Sequence, residues 1–201
     1  RARKLGVTIC CDTEASPRTV VDLKPDVILL ATGAEPHIPP IPGLTPDSVL
    51  LAEQVLQQDN RTPGGTILII GGGLAGCETA LHLAQKGYSP LVVEMREALC
   101  IDTEPRSRAV LLNHLEEYGV RSMLSCRISS IDEHGATICR QEQEEKIICS
   151  GIILATGYTP RTQLADALAN KGIRFYSIGD CNNGTRIYDA VWQANSIAEM
   201  L

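Results

Sequence analysis

Aromatic residues are scarce in this chain of 201 residues, which contains one Trp, one Phe and five Tyr. Aliphatic side chains must therefore fill the core, as they do in parallel sheets that are buried on both faces. The chain has no apolar run approaching the roughly 20 residues that cross a bilayer, and its opening residues lack the pattern of a signal peptide. These absences predict a cytoplasmic protein without a membrane partner.

Basic residues are too few and too dispersed to suggest nucleic acid as a partner. The net charge is −6 and the sequence pI is about 5.2, whereas neutralising a phosphate backbone needs clustered Lys and Arg. Apolar residues make up 44 % of the chain and charged residues 21 %. This is the composition of an ordinary globular protein of one or two domains.

Cysteines are present, but no pair has the C-x-x-C spacing of metal clusters and thioredoxin-like redox sites. The sequence therefore predicts no metal site, and it favours free thiols that pack as small apolar side chains. The eight positions are Cys10, Cys11, Cys77, Cys100, Cys126, Cys139, Cys149 and Cys181.

Apolar runs that stop at Gly alternate with segments of helical periodicity, which predicts βαβ units around a parallel sheet. Strands are expected at 7–11, 26–31, 66–70, 91–94, 151–155 and 173–178, and helices at 48–58, 74–86, 105–118 and 187–201. Segments 127–132, 135–140 and 146–149 are expected to form a small antiparallel meander. Five prolines within 36–46 predict an extended linker. Pro63-Gly64-Gly65 predicts a break between the first helix and the strand at 66–70. Asp102 or Thr103 is the expected N-terminal cap of the third helix.

The strongest motif lies between Thr66 and Glu94, where a strand, a G-x-G-x-x-G loop, a helix and a second strand follow one another. Gly71 permits the tight turn, Gly73 lets a pyrophosphate approach the backbone, and Gly76 lets the helix pack on the strand. The N-terminus of the helix then holds the phosphates. This Rossmann-like arrangement predicts dinucleotide binding.

An acidic residue at the end of the second strand points to the adenosine ribose. Glu94 lies 18 residues after Gly76, where a carboxylate accepts both ribose hydroxyls and repels a 2′-phosphate. NADH is therefore favoured over NADPH, although Arg96 is placed to reach a 2′-phosphate. A methyltransferase that binds S-adenosylmethionine is the main alternative, whereas a protein kinase is excluded because no H-R-D or D-F-G follows. The candidate residues are Gly71, Gly72, Gly73, Leu74, Ala75, Gly76, Glu94, Met95 and Arg96.

Two strands end in Ala-Thr-Gly and a third ends in Gly-Asp. The Ala-Thr-Gly ends are Ala31, Thr32, Gly33 and Ala155, Thr156, Gly157, and the segments around them (DVILLATGAEP and GIILATGYTP) resemble each other. Taken alone, such an end is more often a plain turn than a site. A carboxylate at Gly179-Asp180 suits a ribityl or ribose hydroxyl, but capping of the following turn explains it equally well.

Together these motifs resemble the flavoprotein oxidoreductases in which an NAD(P)H domain is inserted into an FAD domain. The segments ILLATGAEPHIPPIPG, ILIIGGGLAGCETALHLAQKG, ILATGYTP and YSIGDC are similar to the C-terminal half of old-yellow-enzyme-like NADH:flavin oxidoreductases, such as 2,4-dienoyl-CoA reductases and trimethylamine dehydrogenase. The resemblance covers essentially the whole chain.

The resemblance implies an α/β fold with an NAD(P)H-binding domain at 61–155, inserted in a partial FAD-binding domain at 1–60 and 156–201. It implies that NADH passes hydride to FAD, and that electrons continue through an iron–sulfur cluster to FMN and a substrate such as an enoyl- or dienoyl-CoA. The Ala-Thr-Gly and Gly-Asp ends would help to hold FAD. The resemblance also allows Glu78 to face the nicotinamide, as the equivalent Glu does in several relatives, and a purely structural role explains this residue equally well.

The departures from this family are informative as well. No earlier G-x-G-x-x-G, no FMN barrel and no cluster cysteines are present, so the resemblance implies the C-terminal part of a larger enzyme, inactive alone, whose partner is the missing FMN half. The C-x4-C of the disulfide-reductase branch is also absent, which argues against disulfide reduction. No catalytic side chain is expected, because hydride transfer to a flavin needs proximity and orientation. The alternatives are a reductase subunit similar to the glutamate synthase small subunit, or a nucleotide-binding module without catalysis.

Overall fold

A computed structural model of the chain describes residues 1–57, 65–184 and 186–201. These residues form two compact units, one made of Arg1–Glu35 and Thr159–Leu201 and the other of Pro36–Tyr158. The predicted domain boundary at 60–61 and the predicted break at Pro63-Gly64 lie outside the described residues. The assignment of the two domains therefore stays a prediction.

The described strands and helices alternate along most of the chain. The strands are β1 (Leu29–Leu30), β2 (Ala34–Pro36), β3 (Leu50–Leu51), β4 (Thr66–Ile70), β5 (Ser89–Val93), β6 (Arg121–Met123), β7 (Arg127–Asp132), β8 (Gly135–Arg140), β9 (Gln143–Ile148), β10 (Gly151–Leu154), β11 (Tyr158–Pro160) and β12 (Tyr176–Ser177). The helices are α1 (Pro17–Asp22), α2 (Ala52–Gln57), α3 (Leu74–Gln85), α4 (Pro105–Glu117), α5 (Gln163–Ala169) and α6 (Ile187–Ala198).

A five-stranded parallel sheet organises the second unit. Its strand order is β3-β10-β4-β5-β6, and every neighbouring pair in it runs parallel. The order of β4 and β5 with α3 between them is the βαβ crossover that the sequence predicts. The α/β fold class and its parallel sheet are confirmed.

Alternate residues of the central strands divide the core of this unit into two layers. Ile67 and Ile69 of β4 pack with Cys77 and Leu83 of α3, among a cluster that also includes residues of α2 and α4. Leu68 and Ile70 face the opposite way and pack among a cluster that includes residues of the meander. The sheet is therefore buried on both faces, which accounts for its aliphatic sequence.

The antiparallel meander covers the second face of the sheet. The strands β7, β8 and β9 pair in sequence order, with a register shift between Ile128 and Ser130. Ile131 and Ile138 bring its apolar side into the core. The predicted bounds of β7 and β8 are confirmed, whereas β9 begins at Gln143 rather than at Lys146.

The first unit has a two-stranded parallel sheet, in which β1 pairs with β12, together with helices α1, α5 and α6. Cys181 anchors this sheet, since its Sγ donates to the carbonyl oxygens of Leu30 and Ile178 at 3.3 and 3.2 Å. Leu30 and Leu168 are its most deeply buried apolar residues among those described. The helices of both units lack the length and apolar character for crossing a bilayer, within the described ranges.

Several sequence predictions are wrong in this part of the chain. Segment 7–11 forms no strand, and the strand expected at 26–31 is limited to β1, because β12 pairs with only two of its residues. The helix expected from Ser48 begins at Ala52, since Leu50 and Leu51 pair with β10 instead. Glu104 rather than Asp102 or Thr103 caps α4, with its carboxylate accepting from the Ser107 N–H at 2.9 Å.

Candidate functional site

The Gly-rich loop joins β4 to α3 at the carboxyl edge of the parallel sheet. Gly71 has φ +108°, and a Cβ built on it would lie 2.3 Å from the Ala155 carbonyl oxygen. A Cβ on Gly76 would lie 1.9 Å from the Gly71 carbonyl oxygen. These two positions accept no side chain, because the loop packs against both the end of the neighbouring strand β10 and its own helix.

Gly73 is the open position of the loop. It is the N-cap of α3 in an extended conformation, and no atom lies within 4 Å of a Cβ built on it. Leu74, Ala75 and Glu78 are exposed on the adjoining turns. The N–H groups of a first helical turn have no acceptor within the helix, so this surface presents donors and the positive end of the helix dipole to a ligand.

Glu94 lies behind the loop and is only 5 % exposed. Its Oε2 accepts a hydrogen bond from the Gly72 N–H at 2.6 Å. Its Oε1 accepts from the Arg96 backbone N–H at 2.9 Å and from the Arg96 Nε at 3.4 Å. The acidic residue at the end of β5 therefore holds the conformation of the Gly-rich loop, a role that spacing alone does not indicate.

Arg96 is held between two carboxylates. Its Nη1 lies 2.5 Å from Oδ2 of Asp102, and its Nε lies 3.4 Å from Oε1 of Glu94. The hydrogen bond to Asp102 raises the pKa of the Arg96 guanidinium, which stays charged. The Arg96 side chain is 38 % exposed, so this ion-paired cation remains within reach of solvent.

A pocket of about 270 Å³ opens beside Met95, which is 75 % exposed. The strand end after β5, the start of β7 and the turn between β8 and β9 form its walls. Its lining residues are Met95, Ser125, Cys126, Arg127, Cys139, Gln141 and Glu142. No sequence motif indicates this pocket, because its walls come from three separate segments.

The two Ala-Thr-Gly ends make matching hydrogen bonds. The Thr32 hydroxyl donates to the Arg161 carbonyl oxygen at 2.9 Å, and the Arg161 N–H donates to the Gly33 carbonyl oxygen at 3.0 Å. In the other unit, the Thr156 hydroxyl donates to the His37 carbonyl oxygen at 2.5 Å. The His37 N–H donates to the Gly157 carbonyl oxygen at 2.9 Å.

These bonds give both Thr hydroxyls a role in the backbone where the chain passes between its two units. The chain passes at 35–36 within β2 and at 158–159 within β11, and these two strands pair with each other. Ala31 and Ala155 precede the two Thr residues. The repeated motif thus builds the two crossings, and its binding of a flavin stays a prediction.

The Gly-Asp end follows β12 as a short 3-10 turn, Gly179–Asn182. The Gly179 N–H donates to Oε1 of Gln193 in α6 at 2.8 Å, and Gly179 has φ +71°. Asp180 is exposed in this turn. An exposed carboxylate is suited to accept from a hydroxyl group, although its role as a ligand of FAD stays a prediction.

Two buried thiols meet beside the Gly-rich loop. The Cys77 thiol donates to the Gly72 carbonyl oxygen at 3.5 Å, and the Cys100 N–H donates to the same oxygen at 2.8 Å. A hydrogen bond to Cys100 and burial raise the pKa of the Cys77 thiol, while the bond from Cys77 lowers the pKa of Cys100. Cys77 is a packed thiol, in agreement with the prediction.

All eight cysteines are free thiols. The prediction that they pack as small apolar residues is wrong for Cys10 and Cys11, which are exposed, because segment 7–11 lies outside any sheet. Over residues 1–57, 65–184 and 186–201, no group of three or more His, Cys, Asp or Glu side chains is arranged to hold a metal ion.

The structure brings the loop residues 71–76 together with Glu94, Met95 and Arg96 within the second unit. Glu78, Ala155, Thr156 and Gly157 also lie in the second unit, whereas Ala31, Thr32, Gly33, Gly179 and Asp180 lie in the first unit. Asp102 is the residue that sequence reasoning missed, since its position before a helix suggests a cap. Its distance from Arg96 depends on how the segment after β5 turns, which no motif records.

The Gly-rich loop between β4 and α3, the acidic residue after β5 and the doubly buried parallel sheet define a Rossmann-like nucleotide-binding domain. Residues 8–181 match the family described as pyridine nucleotide-disulphide oxidoreductase. The chain belongs to this family, and the oxidoreductase class with its pyridine nucleotide and FAD cofactors comes with that membership.

Named relatives agree with this class. The chain is 32 % identical to an NADH oxidase of Thermoanaerobacter brockii, over 97 % of this chain and 31 % of that protein. It is also 32 % identical to a bilirubin reductase of Mediterraneibacter gnavus, over 90 % of this chain and 28 % of that protein. Among solved structures it is similar to a complex of 2-naphthoyl-CoA reductase with 2-naphthoyl-CoA, with a TM-score of 0.81 and 26 % identity over 94 % of this chain and 29 % of that one. The chain spans about 30 % of the length of these relatives.

Proposed function

We propose that this chain is the NAD(P)H-binding part of an NADH:flavin oxidoreductase of the old-yellow-enzyme-like group. In this proposal hydride passes from NADH to FAD, and electrons go on to a distal FMN site that acts on a small organic substrate such as an enoyl-CoA. The observation that carries the proposal is the open Gly73 position at the N-terminus of α3, with the loop held from behind by Glu94.

The residues of the loop fit a pyrophosphate. Side chains are excluded at Gly71 and Gly76 by neighbouring backbone, whereas at Gly73 open space replaces the missing side chain. Leaving this position bare gives a ligand direct access to the backbone of the first helical turn. Bound there, the nucleotide has its phosphates near the positive end of α3.

The strand end after β5 fits an adenosine ribose with a free 2′-hydroxyl. A carboxylate has about four acceptor positions, and Glu94 uses three of them on Gly72 and Arg96. The remaining position belongs to Oε2 and suits one ribose hydroxyl. Met95 follows Glu94 at the mouth of the 270 Å³ pocket, and we place the adenine ring against it.

For FAD, the exposed Asp180 carboxylate is the proposed acceptor for ribityl or ribose hydroxyls. The hydroxyls of Thr32 and Thr156 are engaged with backbone carbonyl oxygens. We therefore assign the two Ala-Thr-Gly ends a supporting role, in which they fix the backbone near the flavin. Glu78, exposed on α3, is proposed to face the nicotinamide.

The substrate proposal draws on the relatives. One is named as a bilirubin reductase, and one solved neighbour is a reductase in complex with a CoA thioester, 2-naphthoyl-CoA. A conjugated organic substrate, reduced at a site outside this chain, is consistent with both names. The partner in this proposal is the FMN-containing half of the same enzyme.

Calorimetric titration of the 201-residue chain with NADH and NADPH, with and without added FAD, tests the proposal. We expect NADH to bind, and Gly73→Val to abolish binding without loss of the fold. An exposed substitution in the same unit, Glu97→Gln, serves as the control and should leave NADH binding unchanged. Absence of binding by either nucleotide would overturn the proposed function.

A second measurement distinguishes an enzyme from a binding module. FAD absorbance near 450 nm is followed under anaerobic conditions after NADH is added to the chain. A faster loss of FAD absorbance with the chain than in a sample without protein supports hydride transfer from NADH to FAD. Nucleotide binding without such loss would favour a nucleotide-binding module over an oxidoreductase in this chain alone.

A further inference from the structure

We propose that Asp102 sets the preference of the nucleotide site for NADH over NADPH. Its carboxylate holds the Arg96 guanidinium in an ion pair, so that the guanidinium is not available to a 2′-phosphate. This inference rests on the proposed function, because it concerns the adenosine end of the same site. It assigns a specificity role to a residue outside the Gly-rich loop and outside β5.

The geometry around Arg96 carries the inference. A guanidinium has five N–H donors in a fixed plane. Two of its edges, Nε–Nη2 and Nη1–Nη2, present parallel N–H groups, and each edge has one donor occupied by a carboxylate. Nη1 lies 2.5 Å from Asp102 Oδ2, and Nε lies 3.4 Å from Glu94 Oε1. A phosphate that is to be bound by two parallel hydrogen bonds on either edge must therefore displace a carboxylate, and without Asp102 the Nη1–Nη2 edge is open.

The local charge favours the same outcome. Glu94, Arg96 and Asp102 together carry one net negative charge, so the dianionic 2′-phosphate of NADPH approaches a negative cluster. The 2′-hydroxyl of NADH is neutral and meets no such repulsion. Replacing Asp102 by a neutral residue makes the cluster neutral and frees the Nη1 of Arg96.

A different residue caps the helix that follows Asp102. Glu104 caps α4 through the Ser107 N–H, and the Asp102 side chain is 82 % exposed. Its carboxylate therefore acts on Arg96 from the surface, where substitution leaves the core untouched. Asp102 is a positioning residue, since it acts through Arg96 rather than on the nucleotide.

The test compares dissociation constants for NADH, NADPH, ADP and 2′,5′-ADP in the 201-residue chain and in Asp102→Asn. We expect Asp102→Asn to bind NADPH and 2′,5′-ADP about threefold to fivefold more tightly, the upper part of the range of an exposed ion pair. It should bind NADH and ADP within twofold of the unchanged chain. The gain should shrink as ionic strength rises, because exposed charges are screened by salt.

Two further variants test whether the gain belongs to Asp102 and acts through Arg96. Glu97→Gln removes an exposed negative charge from the same segment and should give no comparable gain, and the double variant Arg96→Ala/Asp102→Asn should lose the gain. The inference is overturned if Asp102→Asn leaves the NADPH/NADH ratio unchanged, if Glu97→Gln reproduces its effect, or if the double variant keeps it. Asp102→Ser repeats the comparison if Asp102→Asn does not fold. A chain that binds none of the four ligands would overturn the proposed function itself, whereas binding with an unchanged ratio would overturn only the role of Asp102.

Discussion

The Glu94 carboxylate and the Gly72 N–H are joined by a buried hydrogen bond of 2.6 Å. This bond links the end of β5 to the middle of the Gly-rich loop, which follows the neighbouring strand β4. The conformation of the loop therefore depends on a side chain from outside it. Loss of that side chain should affect both the stability of the domain and its binding of nucleotides.

We expect Glu94→Ala to lower the free energy of unfolding by about 1–3 kcal/mol, because it leaves the buried Gly72 N–H without its acceptor. For a chain of this size each kcal/mol corresponds to about 2–4 °C in Tm. NADH affinity should fall as well. Thermal denaturation followed by circular dichroism measures the first effect, and calorimetric titration measures the second.

Glu94→Gln is the matched control for this prediction. It keeps one acceptor oxygen for Gly72 and removes the charge, so it should retain more stability than Glu94→Ala. A Tm of Glu94→Ala equal to that of the unchanged chain would mean that the bond contributes nothing to the fold.

Substitution by Ala should weaken NADH binding at Gly73 and lower the stability of the fold at Gly76. Gly73→Ala is expected to keep the free energy of unfolding within about 0.5 kcal/mol, since its backbone is extended and the space around its Cβ is open. Its NADH affinity should fall by about tenfold. Gly76→Ala should be destabilised by more than about 2 kcal/mol, because its Cβ would lie 1.9 Å from the Gly71 carbonyl oxygen.

Denaturant unfolding and NADH titration of both variants check this pair of expectations. Gly73→Ala that binds NADH as tightly as the unchanged chain would place the pyrophosphate elsewhere. Equal losses of stability in the two variants would contradict the difference in packing between the two positions.

The parts of the fold that were predictable from sequence have strong local signals. Only the Gly-rich loop separates β4 from α3, and a short turn joins β7 to β8. The bounds of these elements therefore follow from the apolar pattern and the turn residues. The predicted β1 is too long because its partner lies far along the chain and pairs with only two residues. No local pattern records how far such a pairing extends.

The site was predictable to the same degree. The Gly positions and Glu94 have the spacing of a dinucleotide-binding motif, so their proximity in the fold is expected. The hydrogen bond that turns Glu94 toward Gly72 and the ion pair between Arg96 and Asp102 depend on side-chain directions in a loop. Sequence spacing does not determine those directions, and it consequently suggests for Asp102 a capping role that Glu104 fills.

Thr156→Val should lower the free energy of unfolding by about 1 kcal/mol, because it removes the hydroxyl that donates to the His37 carbonyl oxygen while keeping the shape of the side chain. Thr8→Val, at an exposed position without regular structure, is the control and should change it by less than about 0.5 kcal/mol. Denaturant unfolding of both variants gives the difference. If the two variants unfold alike, the Thr156 hydroxyl does not support the crossing.

Alkylation of thiols should follow burial and the direction of the pKa shift. Cys10 and Cys11 are exposed and should be labelled first by iodoacetamide, whereas Cys77, Cys100, Cys126 and Cys139 are buried. The hydrogen bond to Cys100 and burial raise the pKa of Cys77, and only the thiolate reacts. Raising the pH from 7 to 9 should therefore leave Cys77 unlabelled in the folded chain.

Mass spectrometry of peptides after labelling measures this order, with a denatured sample as the control in which all eight thiols react. Since the unfolded chain ionises Cys77 at lower pH than the folded chain does, this group disfavours the folded state above the ordinary thiol pKa of about 8.5. Rapid labelling of Cys77 in the folded chain at pH 9 would contradict the raised pKa.

The paired strands β2 and β11 also bear on the order of folding. Unit Pro36–Tyr158 is one continuous segment, whereas the other unit must join residues as distant as Leu30 and Cys181, which are 151 positions apart. Once the continuous segment has folded, the hydrogen bond between Thr156 and His37 holds its two ends close together. The two segments of the first unit continue from these ends. Most of the entropy cost of bringing residues 151 positions apart into contact has then been met by the folding of that segment. We therefore expect the nucleotide-binding sheet to form first in refolding, and the pairing of β1 with β12 to be the late step.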